Sequence, residues 1–165
     1  MKNLIIIGGP AGVGKTSACM ELRKIIPSNV MLDADWCWFM NPFKVTDETK
    51  KMVEDNITYS INNFLACTEI ENVIFCWTLA HAETFERIVS RINVDGVKVH
   101  NITLLCSADE LRNRTFADTN SDGRDLDKWI GLLPEYQMLP SIKINTDNLT
   151  PKDVSTQISS VVRCA

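Results

Sequence analysis

The stretch Ile5-Ile6-Ile7-Gly8-Gly9-Pro10-Ala11-Gly12-Val13-Gly14-Lys15-Thr16-Ser17 contains G-x-x-x-x-G-K-[ST] from Gly9 to Thr16. In a chain of this length a chance match is on the order of 1%. The flanks agree with the motif. Asn3 to Ile7 is a short β-branched run, and from Lys15 the apolar residues fall at Ala18 or Cys19, Leu22, Ile25 and Ile26, which is helical spacing. Strand, glycine loop and helix therefore follow one another in the order a backbone needs to cradle phosphate.

The loop glycines let successive N–H groups point inward at phosphate oxygens, and the helix that follows adds its unpaired first amides and positive dipole end. Lys15 is placed to reach the β- and γ-phosphates, the Thr16 hydroxyl to ligate Mg²⁺, and Ser17 to fall near the α-phosphate. The candidate nucleotide-binding residues are thus Gly9, Pro10, Ala11, Gly12, Val13, Gly14, Lys15, Thr16 and Ser17. ATP with Mg²⁺ is the expected ligand.

A chain of 165 residues, 45% hydrophobic and 23% charged, is long enough to bury one sizeable core and has the balance of an ordinary folded domain. Residues 1–165 show no repeat and no linker, so a single domain is expected. The net charge of -4 provides no broad basic surface, which disfavours nucleic acid as a partner. Cys19, Cys37, Cys67, Cys76, Cys106 and Cys164 form no C-x-x-C pair, and several lie in apolar runs as small hydrophobes. That usage, with a strand at the very start and no long apolar stretch, leads us to expect a reduced, cytoplasmic protein away from membranes, as a monomer or homodimer.

Five β-rich runs are predicted at Asn3–Ile7, Asn29–Asp33, Asn72–Trp77, Val97–Cys106 and Ser141–Asn145, with helices near 15–26, 47–66, 82–93, 107–117, 125–138 and 151–163. Helix starts are marked at Thr46, by a capping box at Ser107-Ala108-Asp109-Glu110, and at Thr150-Pro151-Lys152-Asp153. The alternation predicts an α/β fold, a three-layer α/β/α sandwich with ligands at the carboxyl ends of parallel strands.

The second strand ends in Asp33-Ala34-Asp35. Strand periodicity puts both carboxylates on one face. If this strand neighbours the first, Asp33 lies close to Lys15, Thr16 and the metal, and Asp35 stands one step nearer an acceptor. Such a pair divides into a metal-side carboxylate and a base that takes a proton from a hydroxyl. The same residues also suit a strand-to-helix turn in which they cap backbone amides.

The phosphate loop, the Leu32-Asp33-Ala34-Asp35 strand end and a later arginine-bearing segment resemble the small P-loop kinases that include shikimate kinase, gluconate kinase and chloramphenicol phosphotransferase. The resemblance implies a P-loop NTPase fold of the nucleotide kinase type, with a five-stranded parallel sheet in the order 2-3-1-4-5. It implies Lys15 on the phosphates, Thr16 and Asp33 on Mg²⁺, and Asp35 on the acceptor hydroxyl. A lid is expected near 112–125. In it Arg114-Thr115 matches the pair that lines the adenine in shikimate kinases, and Arg124 takes the place of a catalytic lid arginine. Only one face of a helix looks inward, so Arg112 and Arg114 compete for the nucleotide.

Trp36, Trp38, Phe39 and Phe43 follow the second strand and Trp77 ends the third, so they suit either an acceptor wall or a seal between layers. His81 lies where it touches substrate or starts a helix, and His100 reads as structural. No arginine occurs between Arg23 and Arg87, which disfavours an anionic acceptor, since lysine offers no bidentate fork. The leading expectation is transfer of the ATP γ-phosphate to a hydroxyl of a small, non-anionic molecule. A nucleoside or nucleotide kinase is the neighbouring alternative. An NTP-hydrolysing switch fits less well, because there is no N-K-x-D and the third strand lacks a terminal aspartate; a non-catalytic nucleotide-binding module is the third class.

Overall fold

The computed structural model describes residues 1–118 and 125–164. In chain order it begins with β1 (Lys2–Gly8), α1 (Lys15–Ile25), β2 (Asn29–Asp33), a 3₁₀ turn (Ala34–Trp38), α2 (Asp47–Ala66), β3 (Asn72–Cys76) and α3 (Ala82–Val89). It continues with β4 (Val97–Leu105), α4 (Ala108–Ala117), α5 (Leu126–Gly131), α6 (Leu133–Met138), β5 (Ile142–Asn145) and α7 (Pro151–Cys164).

All strand pairings are parallel, in the order β2-β3-β1-β4-β5. The expected P-loop kinase topology is therefore present. Side chains of β1 alternate between two cores. Leu4 and Ile6 pack with Val53, Ile57 and Ile61 of α2 and Ile88 of α3, whereas Ile5 and Ile7 pack with Ala18, Cys19 and Leu22 of α1 and Val154 and Ile158 of α7. A strand covered on both faces reads as an unbroken apolar run, and each buried isoleucine contributes about 1.5–3 kcal/mol. That is why Leu4 to Ile7 looked continuous rather than alternating.

The register brings Asp33 beside Cys76, and Cys76 beside Ile7, at the carboxyl ends of three strands. β2 is thus not the direct neighbour of β1. The phosphate loop reaches Asp33 because α1 crosses above β3, whose last residue, Cys76, is small.

The helix expected over 82–93 ends at Val89, and two further elements differ from the sequence reading. The helix predicted over 125–138 breaks into α5 and α6, because Gly131 weakens the helix and Pro134 supplies no N–H to the preceding turn. The segment after β2 forms a 3₁₀ turn that no periodicity announced. Asp33 caps it through Oδ1, which accepts from the Asp35 N–H at 3.1 Å. Asp35 consequently stands in the first turn of this helix, not on the strand face.

Caps fix the remaining helix starts. Thr46 and Thr49 cap α2 reciprocally, and Thr150 and Asp153 do the same at α7. At α4 the Ser107 hydroxyl accepts from Glu110 N–H, but the Ser107 N–H goes to Asp147 Oδ1 at 2.8 Å. Half of the predicted box is therefore replaced by a tether to the loop after β5, and the Glu110 carboxylate is left for another partner.

Toward the amino ends of the strands, Asn3 Nδ2 donates to Asn72 Oδ1 and Asn3 Oδ1 meets His100 Nε2 at 3.0 Å. His100 is 3% exposed. Burial, with Lys98 nearby, holds its pKa below the ordinary value of 6.5. As pH falls below about 6.5 the unfolded chain takes up the proton more readily than the folded one, so stability present above that pH drains away. Melting temperature should therefore drop between pH 7 and pH 5, and His100→Gln should flatten that drop in a calorimetric series. None of the six cysteines is disulfide-bonded. Among the described residues no helix is long and apolar enough to cross a membrane.

Candidate functional site

The loop between β1 and α1 is built by its glycines at two places in particular. Gly9 has φ 142°, and a Cβ there would lie 2.6 Å from the Leu104 carbonyl oxygen, inside β4. Gly14 has φ 99° and ψ 20°, the left-handed conformation from which α1 starts. Lys15 opens that helix and is buried, its Nζ donating to the carbonyls of Gly9 and Pro10 at 2.9 Å each. Burial pushes the ammonium pKa below the usual lysine value, and the charges of Asp35 and Asp33 pull it back. Hydrogen bonding with Cys19, together with burial, pushes the adjacent Cys76 thiol far up, so it stays neutral beside Lys15.

Thr16 Oγ1 donates to Asp33 Oδ2 at 2.6 Å, while Asp33 Oδ1 holds the Asp35 N–H. One side chain thus faces the loop threonine with one oxygen and caps the turn with the other. Asp35 is exposed and close enough to Lys15 to act on its charge. Hydroxyl and carboxylate oxygens are the hard donors that suit Mg²⁺, which typically takes one or two protein groups and completes its shell with phosphates and water. Among the described residues no group of three or more His, Cys, Asp or Glu could hold a metal ion.

On one flank of the loop a groove of about 380 Å³ is lined by Gly12, Val13, Gly14, Ser17, Arg114, Asp118 and the start of α7. Packing decides between the two arginines of α4. Arg114 turns to the loop, donating to Val13 O at 2.8 Å and to Glu110 Oε1 at 2.8 Å. Arg112, assigned to the nucleotide from sequence, is not brought there: it is exposed and paired with Asp109 at 3.0 Å. Arg124 lies outside the described residues.

On the other flank a cavity of about 560 Å³ is lined by Trp38, Trp77 and Trp129, with Thr78, His81 and the ion pair of Glu54 and Arg87. Trp38 packs against Phe43 with ring centroids 6.0 Å apart, whereas Trp36 and Phe39 turn to solvent. His81 precedes α3 without capping it and pairs with Glu135 at 3.1 Å. Tyr136 is fully buried and its hydroxyl donates to the Thr78 carbonyl, which pins the cavity floor to α6.

Sequence reasoning missed Trp129, Lys128, Tyr136 and the Glu54–Arg87 pair. Nothing local marks them. Glu54 and Arg87 are 33 residues apart and meet only when α2 and α3 pack, and Trp129 lines the cavity from α5, far along the chain from Trp38 and Trp77.

Residues 5–128 match the AAA domain family. No curated protein matches the sequence. Among solved structures, the tunicamycin resistance protein of Deinococcus radiodurans superposes with a TM-score of 0.70 at 19% identity, covering 98% of this chain and 96% of that one. A gluconokinase from Sinorhizobium meliloti 1021 gives 0.68 at 14% identity, over 99% and 93% of the two chains. Shikimate kinase from Acinetobacter baumannii, solved with shikimate, gives 0.62 at 19% identity, over 99% and 94%.

Proposed function

Because the chain belongs to the AAA domain family and has the P-loop kinase fold, we propose that it transfers the γ-phosphate of ATP to a hydroxyl of a small, non-anionic acceptor. The observation that carries this reading is the double engagement of Asp33, which joins Thr16 to the turn bearing Asp35, beside Lys15. Lys15, the oxygen pair of Thr16 and Asp33 and a second carboxylate thereby lie together at one sheet edge, which supports phosphate and metal roles for them.

In this reading Lys15 exchanges its two carbonyl partners for β- and γ-phosphate oxygens, and the loop amides hold the phosphates in line. Thr16 and Asp33 would hold Mg²⁺, which when bound offsets the negative charge of the phosphates. The acceptor oxygen bonds to the γ-phosphorus as the bond to the β–γ bridging oxygen breaks. ADP leaves and the hydroxyl proton passes to Asp35. Catalysis is then positioning and charge stabilisation rather than covalent chemistry by the protein.

The cavity flanked by tryptophans supports a neutral acceptor with a flat or apolar face. Each of its cations already has a partner: Arg87 gives its fork to Glu54 at 2.8 and 3.0 Å, Lys50 pairs with Asp47 at 3.3 Å, and Lys128 lies 5.1 Å from the Trp129 ring centre. An acceptor carboxylate would have to compete with these partners.

ATP turnover with a panel of nucleosides, sugars, shikimate-like acids and hydroxylated antibiotics tests the reading. Turnover that requires a neutral acceptor is expected. Acceptor-independent hydrolysis would favour an NTP-hydrolysing switch, and nucleotide binding without any turnover a non-catalytic module.

A further inference from the structure

Arg114 sits where three segments meet, and nearly all of its guanidinium edge is engaged by the protein. Nε donates to Glu110 Oε1 at 2.8 Å, Nη1 to Val13 O at 2.8 Å and Thr146 Oγ1 at 2.9 Å, and Nη2 to Thr146 O at 2.6 Å. These bonds use four of the five N–H donors, so the group has almost no fork left for a phosphate. Its anchor is firm. Thr146 is 1% exposed, and both its N–H and its hydroxyl donate to the Leu105 carbonyl at the end of β4, at 2.7 and 3.0 Å.

The Val13 carbonyl is the one atom of the phosphate loop that Arg114 grips. The Val13–Gly14 peptide is trans, since among the described residues the cis bond is Asn41–Pro42. In a trans peptide the carbonyl and the following N–H point in opposite directions. Drawing the Val13 oxygen toward Arg114 therefore turns the Gly14 N–H away from Arg114. The approach is close enough that a Cβ on Gly14 would lie 3.8 Å from Arg114 Nη1.

We infer that Arg114 is a positioning residue for the phosphates: braced on Thr146 and Glu110, it locks the Val13–Gly14 peptide so that the Gly14 N–H faces the polyphosphate. This rests on the nucleotide reading above and adds to it a role independent of the base. The loop is held from outside by a cation whose charge is shared with Glu110. An arginine acting only by lending its flat face to a base would leave a ligand without a base unaffected.

Inorganic tripolyphosphate is such a ligand, and calorimetric titration of it beside ADP tests the inference. Arg114→Gln is expected to weaken both by about tenfold, the scale of one lost charge-assisted contact. Arg114→Lys keeps the charge but cannot span Val13 and Thr146, and is expected to lose nearly as much. A loss for ADP with tripolyphosphate unchanged would overturn the inference in favour of base contact alone, and full rescue by lysine would overturn it in favour of simple charge. Should Arg114→Gln fail to fold, Thr146→Val removes one acceptor of Nη1 and keeps the charge; about a threefold loss for tripolyphosphate is expected, and none would overturn the inference. If the native protein binds neither ligand, the nucleotide reading falls too, whereas failure confined to the variants bears on Arg114 alone.

Discussion

Replacing Lys15 by alanine is expected to lower phosphotransfer by about 10³-fold or more and to weaken ATP binding by at least about tenfold. The size of the effect follows from the setting. Lys15 is buried at the start of α1, where its charge is poorly screened and acts strongly on phosphate oxygens drawn into the loop. Its pKa is lowered by burial, yet the facing carboxylates Asp35 and Asp33 counter that loss. Alanine removes the charge that would accompany the γ-phosphate as it moves. Steady-state rates and a titration with ADP measure the two parts separately, and circular dichroism checks that the variant is folded. A turnover within a few fold of the native rate would remove the phosphate assignment from this loop.

The second large effect is expected at Asp35. Asp35→Asn keeps the shape of the side chain and its backbone N–H, so the bond to Asp33 Oδ1 persists and the turn is retained. What is lost is the ability to accept a proton. The turnover number is expected to fall by about 10²–10⁴-fold, with the dissociation constant for ATP unchanged within about twofold. Rapid-mix measurement of the transfer step against equilibrium binding separates these quantities. Equal rates in the two proteins would mean that Asp35 serves only the turn.

How legible each part was depended on how local its cause is. The phosphate loop was readable from Gly9 to Thr16 because backbone conformation and the phosphate cradle are set by adjacent residues, and the strand order follows from the element sequence together with the family resemblance. The closeness of Asp33 to Thr16 was expected from neighbouring strands, whereas β3 lies between β1 and β2 and the two side chains meet across it. The place of Asp35 was misjudged by one element, since the Asp33 side chain competes for the next backbone amides and ends the strand there. Arg112 and Arg114 are two residues apart, so spacing alone could not say which faces inward; the engagement of Arg114 with Val13 and Thr146 decides it. The stretch between Arg23 and Arg87 holds no arginine, and it stops one residue short of the one that matters. The fold then placed Arg87 itself in the cavity wall, already bound to Glu54. That outcome depends on α2 meeting α3, which no short window of sequence records.

β1 lies at the middle of the sheet, with β2 and β3 on one flank and β4 and β5 on the other. The tryptophan-lined cavity draws on the connections after β2 and β3 and on α5, while the groove beside the loop draws on α4 and the start of α7. This separation makes the protein easy to diversify. Substitutions at Trp38, Trp77 or Trp129 can accumulate in a lineage, or be introduced by an engineer, without disturbing a residue from Gly9 to Thr16. If the tryptophan-lined cavity receives the acceptor, as proposed, descendants can inherit the phosphate loop intact and still part ways over what they modify.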